Sequence, residues 1–403
     1  MSATANAGQQ GVTSIAQIAA VAPDERIESI DVVRGIALFG VLIVNLITEF
    51  RVSIFQQFLG ATSAQTSFDR VVERIVSLGF EAKAFCLFAL LFGVGLAIQY
   101  DRLSRHGSPL YWLFRRLVVL LAIGLLHLLL IWNGDILTEY ALAGLVALPL
   151  LLMRARGLLV ATASFLALYA AGPVLLYSNL WPSSATLQHH VALANQVYSA
   201  GSFVEVWRFS LQELPLLLPL HIFVFPRTLA LFLLGAFLWR SGVLQRPHDF
   251  RYQTITAATV GIVTGAALAA ADTYGFLTKL GAAKAFLIAF TPVLLALGYG
   301  AAIMALMQLS VAQRFLSTFA PAGRMAFTNY VLQSVIFGFI FFGYGLGQFG
   351  RMGAAMAFVI GVAVYIAQMV LSKWWLCHYR FGPIEWLWRT LMYGVTQPMR
   401  KAS

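Results

Sequence analysis

The chain has 403 residues, 60% of them apolar and 11% charged. An ordinary soluble domain carries roughly 25% charged residues, so a water-soluble globular protein and a large extramembrane domain are both excluded. The 27 Lys and Arg against 16 Asp and Glu give a formal charge of +11; in a membrane protein such an excess belongs to cytoplasmic loops and anionic lipid, and no nucleic-acid partner is implied.

Residues 1–25, rich in Ala, Gln, Ser and Thr and without the basic start of a signal peptide, are expected to form a disordered cytoplasmic tail. Apolar segments of spanning length follow at about 31–50, 82–100, 112–132, 136–153, 157–177, 213–240, 253–272, 284–308, 325–342 and 354–375. They predict an all-α, polytopic integral membrane helical bundle of about ten transmembrane helices over 26–377. Basic residues gather at alternate segment ends, among them Arg34, Arg102, Arg105, Arg115, Arg116, Arg154, Arg156 and Arg240, which places both termini in the cytoplasm. Of the two long outer segments, 51–81 carries Arg70, Glu73 and Arg74 and suits an interfacial helix. The other, 178–212, contains Trp181-Pro182 and His189-His190, a pair read as solvated loop. Beyond the last span, 378–403 begins with an aromatic and basic run, His378 to Arg389, whose tryptophans suit the membrane interface.

Three patterns carry less than they promise. Gly345-Leu346-Gly347-Gln348-Phe349-Gly350 fits G-x-G-x-x-G, yet joins two apolar helices where a dinucleotide site needs a preceding strand, so it is read as a turn. Gly261 and Gly265 form a GxxxG that lets another helix approach. Cys86 and Cys377, in or beside apolar runs, define neither a disulfide framework nor a thiolate site, and no His/Cys metal spacing is present, so no metal is expected.

Ionisable groups within spans are the functional signal, because each costs about 2.5–3.5 kcal/mol at a helix centre on insertion scales. On the first helix Asp31, Arg34, Asn45 and Glu49 share one face along roughly 27 Å. On the third, Arg116 lies three turns below His127. The loop after it leads through Asp135 to Glu139, four residues apart, and His221 and Arg227 reach the same outer layer from the sixth. One outer polar chamber of Asn45, Glu49, His127, Asp135, Glu139, His221 and Arg227 is expected. At the inner end Arg34, Arg115, Arg116 and Arg324 offer forked donors suited to phosphate.

The run Arg26 to Gly40 with Asn45 resembles the YeiB-like family of bacterial membrane proteins. So do Leu91-Phe92-Gly93-Val94-Gly95, Gly134-Asp135-Ile136-Leu137, Gly323 to Tyr330 with Gln333-Ser334, and Arg380 to Arg389. That family is distantly similar to integral-membrane acyltransferases such as heparan-glucosaminide acetyltransferase and the polysaccharide O-acyltransferases. The resemblance implies a multi-pass protein of the bacterial inner membrane that moves an acyl group from cytoplasmic acyl-CoA, for instance acetyl-CoA, to an outer small-molecule or glycan acceptor. The O-acyltransferases place a His eleven residues after the Arg of the first helix. This chain keeps Arg34 but has Asn45 there, and residues 51–81 lack the His that the heparan-type enzyme uses.

Catalysis is therefore expected at His127 as general base, with Asp135 or Glu139 as its orienter and Asn45 as oxyanion donor. Arg34, Arg116 and Arg324 are assigned to acyl-CoA, and Glu49, His221, Arg227, Asn329 and Gln333 to the acceptor. The bilayer is the expected partner and a homodimer stays open. The alternatives are a transporter or flippase using the same seam without bond chemistry, and a lipid-binding or assembly component.

Overall fold

A computed structural model describes residues 27–59, 66–105, 107–176 and 180–401. The expected 1–25 tail lies outside them. Among the described residues the chain is helical, with one isolated antiparallel bridge between Tyr379 and Arg400. All ten apolar segments form helices. Eight helical stretches among the described residues are long and apolar enough to cross a membrane. They comprise α1 (Glu28–Asn45, continued by a π-helical turn, Leu46–Phe50), an amphipathic α2 (Ser67–Gly79) running into α3 (Lys83–Ser104), α4 (Pro109–Leu130), α6 (Ala155–Leu176), α8 (Phe203–Arg240), α9 (Arg251–Thr273), α10 (Ala282–Leu306) and α14 (Ala354–His378). Two apolar helices are shorter: α5 (Leu137–Leu150) and α13 (Ala326–Phe341). At 14 and 16 residues they rise about 21 and 24 Å, less than the roughly 30 Å of hydrocarbon. The protein is a polytopic helical membrane protein.

The central helix is α1. It packs against α3, α10, α13, α14 and the short α12 (Ala320–Arg324), and from Val32 to Phe50 most of its side chains are buried. That explains why its polar residues matter: a helix apolar on all sides and enclosed by others cannot turn a charged side chain to lipid. Helix α8 is 38 residues long, about 57 Å, and begins ten residues before the expected span. It absorbs Pro215, Pro219 and Pro226 without ending, as a helix supported on several sides can. The GxxxG expectation holds, with Gly261 against Gly298 and Gly265 against Leu295 where α9 meets α10.

The segment after α1 contains the helix α2, which is amphipathic. On α2, Phe68, Val71, Ile75 and Leu78 form one exposed apolar row, while Asp69 is buried and accepts from the Ala355 amide at the start of α14. The expected loop at His189-His190 is instead part of α7 (Ser184–Ala200). The glycine-rich 345–350 is a turn between α13 and α14, with positive φ at Gly347 and Gly350. At the chain's end α15 (Pro383–Tyr393) lies on α4 and α13, with Met392 and Tyr393 buried. Its indoles are fixed by protein carbonyls, Trp386 to Gln397 and Trp388 to Arg116.

Candidate functional site

The loop between α4 and α5 brings the first group together. His127 sits in the last turn of α4, 1% exposed, with Nδ1 2.9 Å from Asp135 Oδ1 and Nε2 3.0 Å from Ser334 Oγ on α13. The second oxygen of Asp135 accepts from the Thr138 amide at 2.7 Å, so the carboxylate is held from both sides. Tyr330, one turn before Ser334, ties the same loop through bonds to the Gly134 carbonyl and the Ile136 amide. An acceptor-only carboxylate at Nδ1 calls for the proton on that nitrogen, leaving Nε2 with its lone pair toward the serine hydroxyl. The three side chains thus stand in the order carboxylate, imidazole, hydroxyl, which can pass a proton from oxygen to nitrogen.

Asp135 is therefore the orienter of His127, and Glu139 is not. Glu139 accepts from Thr228 Oγ1 at 2.6 Å and meets His221 Nδ1 at 3.0 Å, forming a second group between α5 and α8. Arg227, beside Thr228, lies over the Tyr169 ring, 5.3 Å from its centroid. A third group was missed by the sequence reading. Glu213 on α8 is buried and accepts from Asn133 Nδ2 at 2.7 Å and from the Tyr198 hydroxyl, and lies 2.6 Å from His190 Nε2.

A cleft of about 340 Å³, including its open mouth, is lined by Glu49, Ser53, Trp132, Asn133, Gly134, Tyr198, Glu213 and Phe342. The seven residues expected to share one outer chamber do not: His127 with Asp135 and Glu139 with His221 form separate groups, and of the seven only Glu49 lines the cleft beside Glu213. The π-helical turn carries Glu49 into it, an irregularity common at functional sites. Gly134 has no room for a side chain, since Glu49 Oε2 and the Trp132 ring lie against it. Trp132 separates the cleft from His127, its ring edge-on to the imidazole at 6.4 Å. Asn45, one turn below Glu49, is buried and its Oδ1 has no hydrogen-bond partner among the described residues. Asn329 and Gln333 face elsewhere: Asn329 bonds Ser372 Oγ at 3.0 Å and Gln333 bonds Gln368 Oε1 at 2.8 Å, a buried ladder between α13 and α14.

At the opposite end of α1, Arg34 is paired with Asp31 at 2.9 Å. Arg116 lies over the Trp388 ring at 4.3 Å, within electrostatic reach of Arg34 and of Arg389 on α15. Burial lowers the Arg389 pKa and raises that of Glu385, which caps α13 through the Phe327 and Thr328 amides. Gly323 packs on the Asp31 carbonyl, which brings Arg324 to this end as well. Among the described residues the buried Nε atoms of Arg116 and Arg324 have no hydrogen-bond partner, a state that an oxyanion ligand would relieve. Among the described residues no group of three or more His, Cys, Asp or Glu is placed to hold a metal ion.

Uncharacterized protein YxaH of Bacillus subtilis (strain 168) is 33% identical over 403 residues, covering 94% of this chain and 97% of the relative. This chain belongs to the DUF418 family. The family's own description, "Protein of unknown function (DUF418)", matches residues 238–395, from the end of α8 through α15. Uncharacterized protein YeiB of Escherichia coli (strain K12) is 28% identical over 402 residues, with 93% of this chain and 98% of the relative covered. An uncharacterized 39.9 kDa protein from the amylase 3' region of Bacillus acidopullulyticus is 28% identical over 392 residues, covering 94% and 97%. The YeiB-like resemblance is thus a kinship over nearly the full length, and the DUF418 match takes in Ser334, Arg324 and Arg389 but not His127 or Asp135.

Proposed function

We propose that the chain is an acyl-CoA-dependent acyltransferase of the bacterial inner membrane, with ten spans and both termini in the cytoplasm. It would move an acyl group from a cytoplasmic thioester to a hydroxyl or amine acceptor at the outer side. The observation that carries this reading is the hydrogen-bonded chain Asp135–His127–Ser334 between the cleft and the buried Nε atoms of Arg116 and Arg324. Arg116 and His127 lie on one helix, about 16 Å apart along its axis, a separation that the arm between the phosphates and sulfur of CoA can bridge. The cleft presents carboxylates and aromatic faces, chemistry suited to a polyhydroxylated or amine-bearing acceptor.

Loss of Arg116 tests the donor end. A hydrogen bond to a charged group contributes about 1.5–3 kcal/mol. Arg116→Ala should therefore raise KM for acyl-CoA roughly ten- to a hundredfold with kcat little changed, whereas Arg154→Ala, at an exposed position, should leave both unaltered. Equal KM values in the two variants would remove Arg116 from the donor site.

A transporter or flippase is the second reading, favoured by Glu49, Glu139, Glu213 and His221 at the cleft end of the bundle. Proteoliposomes separate the two. Acceptor-dependent release of CoA supports the enzyme, and substrate movement in the absence of acyl-CoA supports transport.

A further inference from the structure

We infer that Ser334 is a nucleophile, and that the acyl group is held as an ester on its Oγ between donor and acceptor. This deepens the acyl-transfer reading above and rests on it. Both nitrogens of His127 are engaged, Nδ1 by Asp135 and Nε2 by Ser334. An acceptor hydroxyl arriving from the cleft thus finds no free nitrogen on the base and must first displace the serine. The hydroxyl already placed for deprotonation is the chain's own. Its other hydrogen-bond partner is the Tyr330 carbonyl, one turn back along the helix at 3.4 Å, longer than the 3.0 Å to Nε2.

Position argues the same way. Ser334 lies on α13, while Arg116 and Arg324, whose Nε atoms lack a hydrogen-bond partner among the described residues, and the cleft lie toward opposite ends of α1. Trp132 stands between His127 and the cleft. A direct transfer needs thioester and acceptor at one point together, on both sides of that ring. A covalent carrier lets each approach in turn, from its own side, with water kept out of the donor half-reaction.

In the first half-reaction Ser334 Oγ attacks the thioester carbonyl as its proton passes to His127 Nε2. The C–O bond forms, the C–S bond breaks, and the departing thiolate takes that proton to leave as CoA-SH. Asp135 steadies the imidazolium between these events through Nδ1. In the second, the acceptor hydroxyl or amine gives its proton to Nε2 and attacks the ester, and Ser334 departs with the proton from His127. Atoms and protons balance with acyl-CoA and acceptor alone.

The test uses the full chain in nanodiscs with radiolabelled acetyl-CoA or palmitoyl-CoA and no acceptor. Labelled acyl should appear on the peptide containing Ser334, be released by alkali, and be absent from Ser334→Ala and from His127→Ala. Free labelled CoA should exchange into the acyl-CoA pool, again only with Ser334 present. Ser334→Cys provides a variant of the same shape, which should take the label as a thioester cleaved by neutral hydroxylamine. In parallel, membranes carrying each variant are given the same donors, and label is followed into their lipid and glycan fractions. Transfer to those fractions that persists in Ser334→Ala, with no acyl on the wild-type chain, overturns the nucleophile and leaves the acyltransferase standing. With either donor, absence of both chain labelling and transfer by the wild type overturns the two together.

Discussion

Asp135→Asn should lower acyl transfer by roughly a thousand- to ten-thousandfold while leaving the protein folded. An Asn side chain keeps the shape and can still accept from the Thr138 amide, which Asp135 Oδ2 does at 2.7 Å. What it cannot keep is the acceptor at Nδ1. If its amide nitrogen turns toward the ring, it donates to Nδ1, the proton shifts to Nε2, and the imidazole no longer takes a proton from Ser334. Enzymes in which an aspartate fixes a histidine tautomer in this manner lose about 10⁴ in turnover from the same substitution. Arg116, at the far end of α4, is untouched by this change, so on the proposed reading the loss should belong to kcat. The measurement is initial rate against acyl-CoA concentration, with size-exclusion profile and thermal midpoint alongside. Near wild-type kcat in a folded Asp135→Asn protein would make the three-residue chain a structural tie.

The comparable change at Glu139 separates the two carboxylates. Because Glu139 bonds His221 and Thr228 instead, Glu139→Gln should leave the His127 tautomer intact. The sequence could not make that distinction. Spacing of four places Asp135 and Glu139 on one face only if both are helical, and α5 begins at Leu137, with Asp135 in the loop before it. Off the helix, the Asp135 carboxylate turns back to α4 while that of Glu139 points to α8.

Other features divide along similar physical lines. The apolar segments were legible because hydrocarbon imposes length on any chain that spans it. His127 and the central seam of α1 were legible because charge in a span is costly. Ser334 was not, being neutral, ordinary in a membrane helix and 207 residues from His127. Glu213 fell at an expected span boundary, although α8 begins a full ten residues earlier, and Asn329 and Gln333 read as substrate ligands when their amides instead join α13 to α14. Arg389 read as part of a lipid-facing run, since nothing local in the sequence shows that α15 packs against α4 and brings it close to Arg116.

The packing that holds the two ends of the bundle in register can be broken at one glycine and spared at its neighbour. Gly93 on α3 lies against the backbone of Phe232 on α8, where an added Cβ would come within 2.6 Å of the Phe232 carbonyl carbon. Gly235 of α8 reciprocates, with 2.8 Å to the Val94 amide. The neighbours here are main chain, so neither helix can yield by a rotamer change, and both must separate along their length. Overpacking a tight interior costs about 1–3 kcal/mol even where side chains can adjust, so Gly93→Val should exceed that range and leave little folded protein. Gly95, two residues on, has nothing among the described residues within 4 Å of the same added atom. Gly95→Ala should be tolerated or slightly stabilising, since alanine favours the helix by up to about 1 kcal/mol over glycine. Monodisperse yield in detergent and thermal midpoint of the two variants decide the matter. A Gly93→Val protein with wild-type values for both would mean that α3 and α8 do not cross at this point, and the placement of His221 and Arg227 relative to α1 would fall with it.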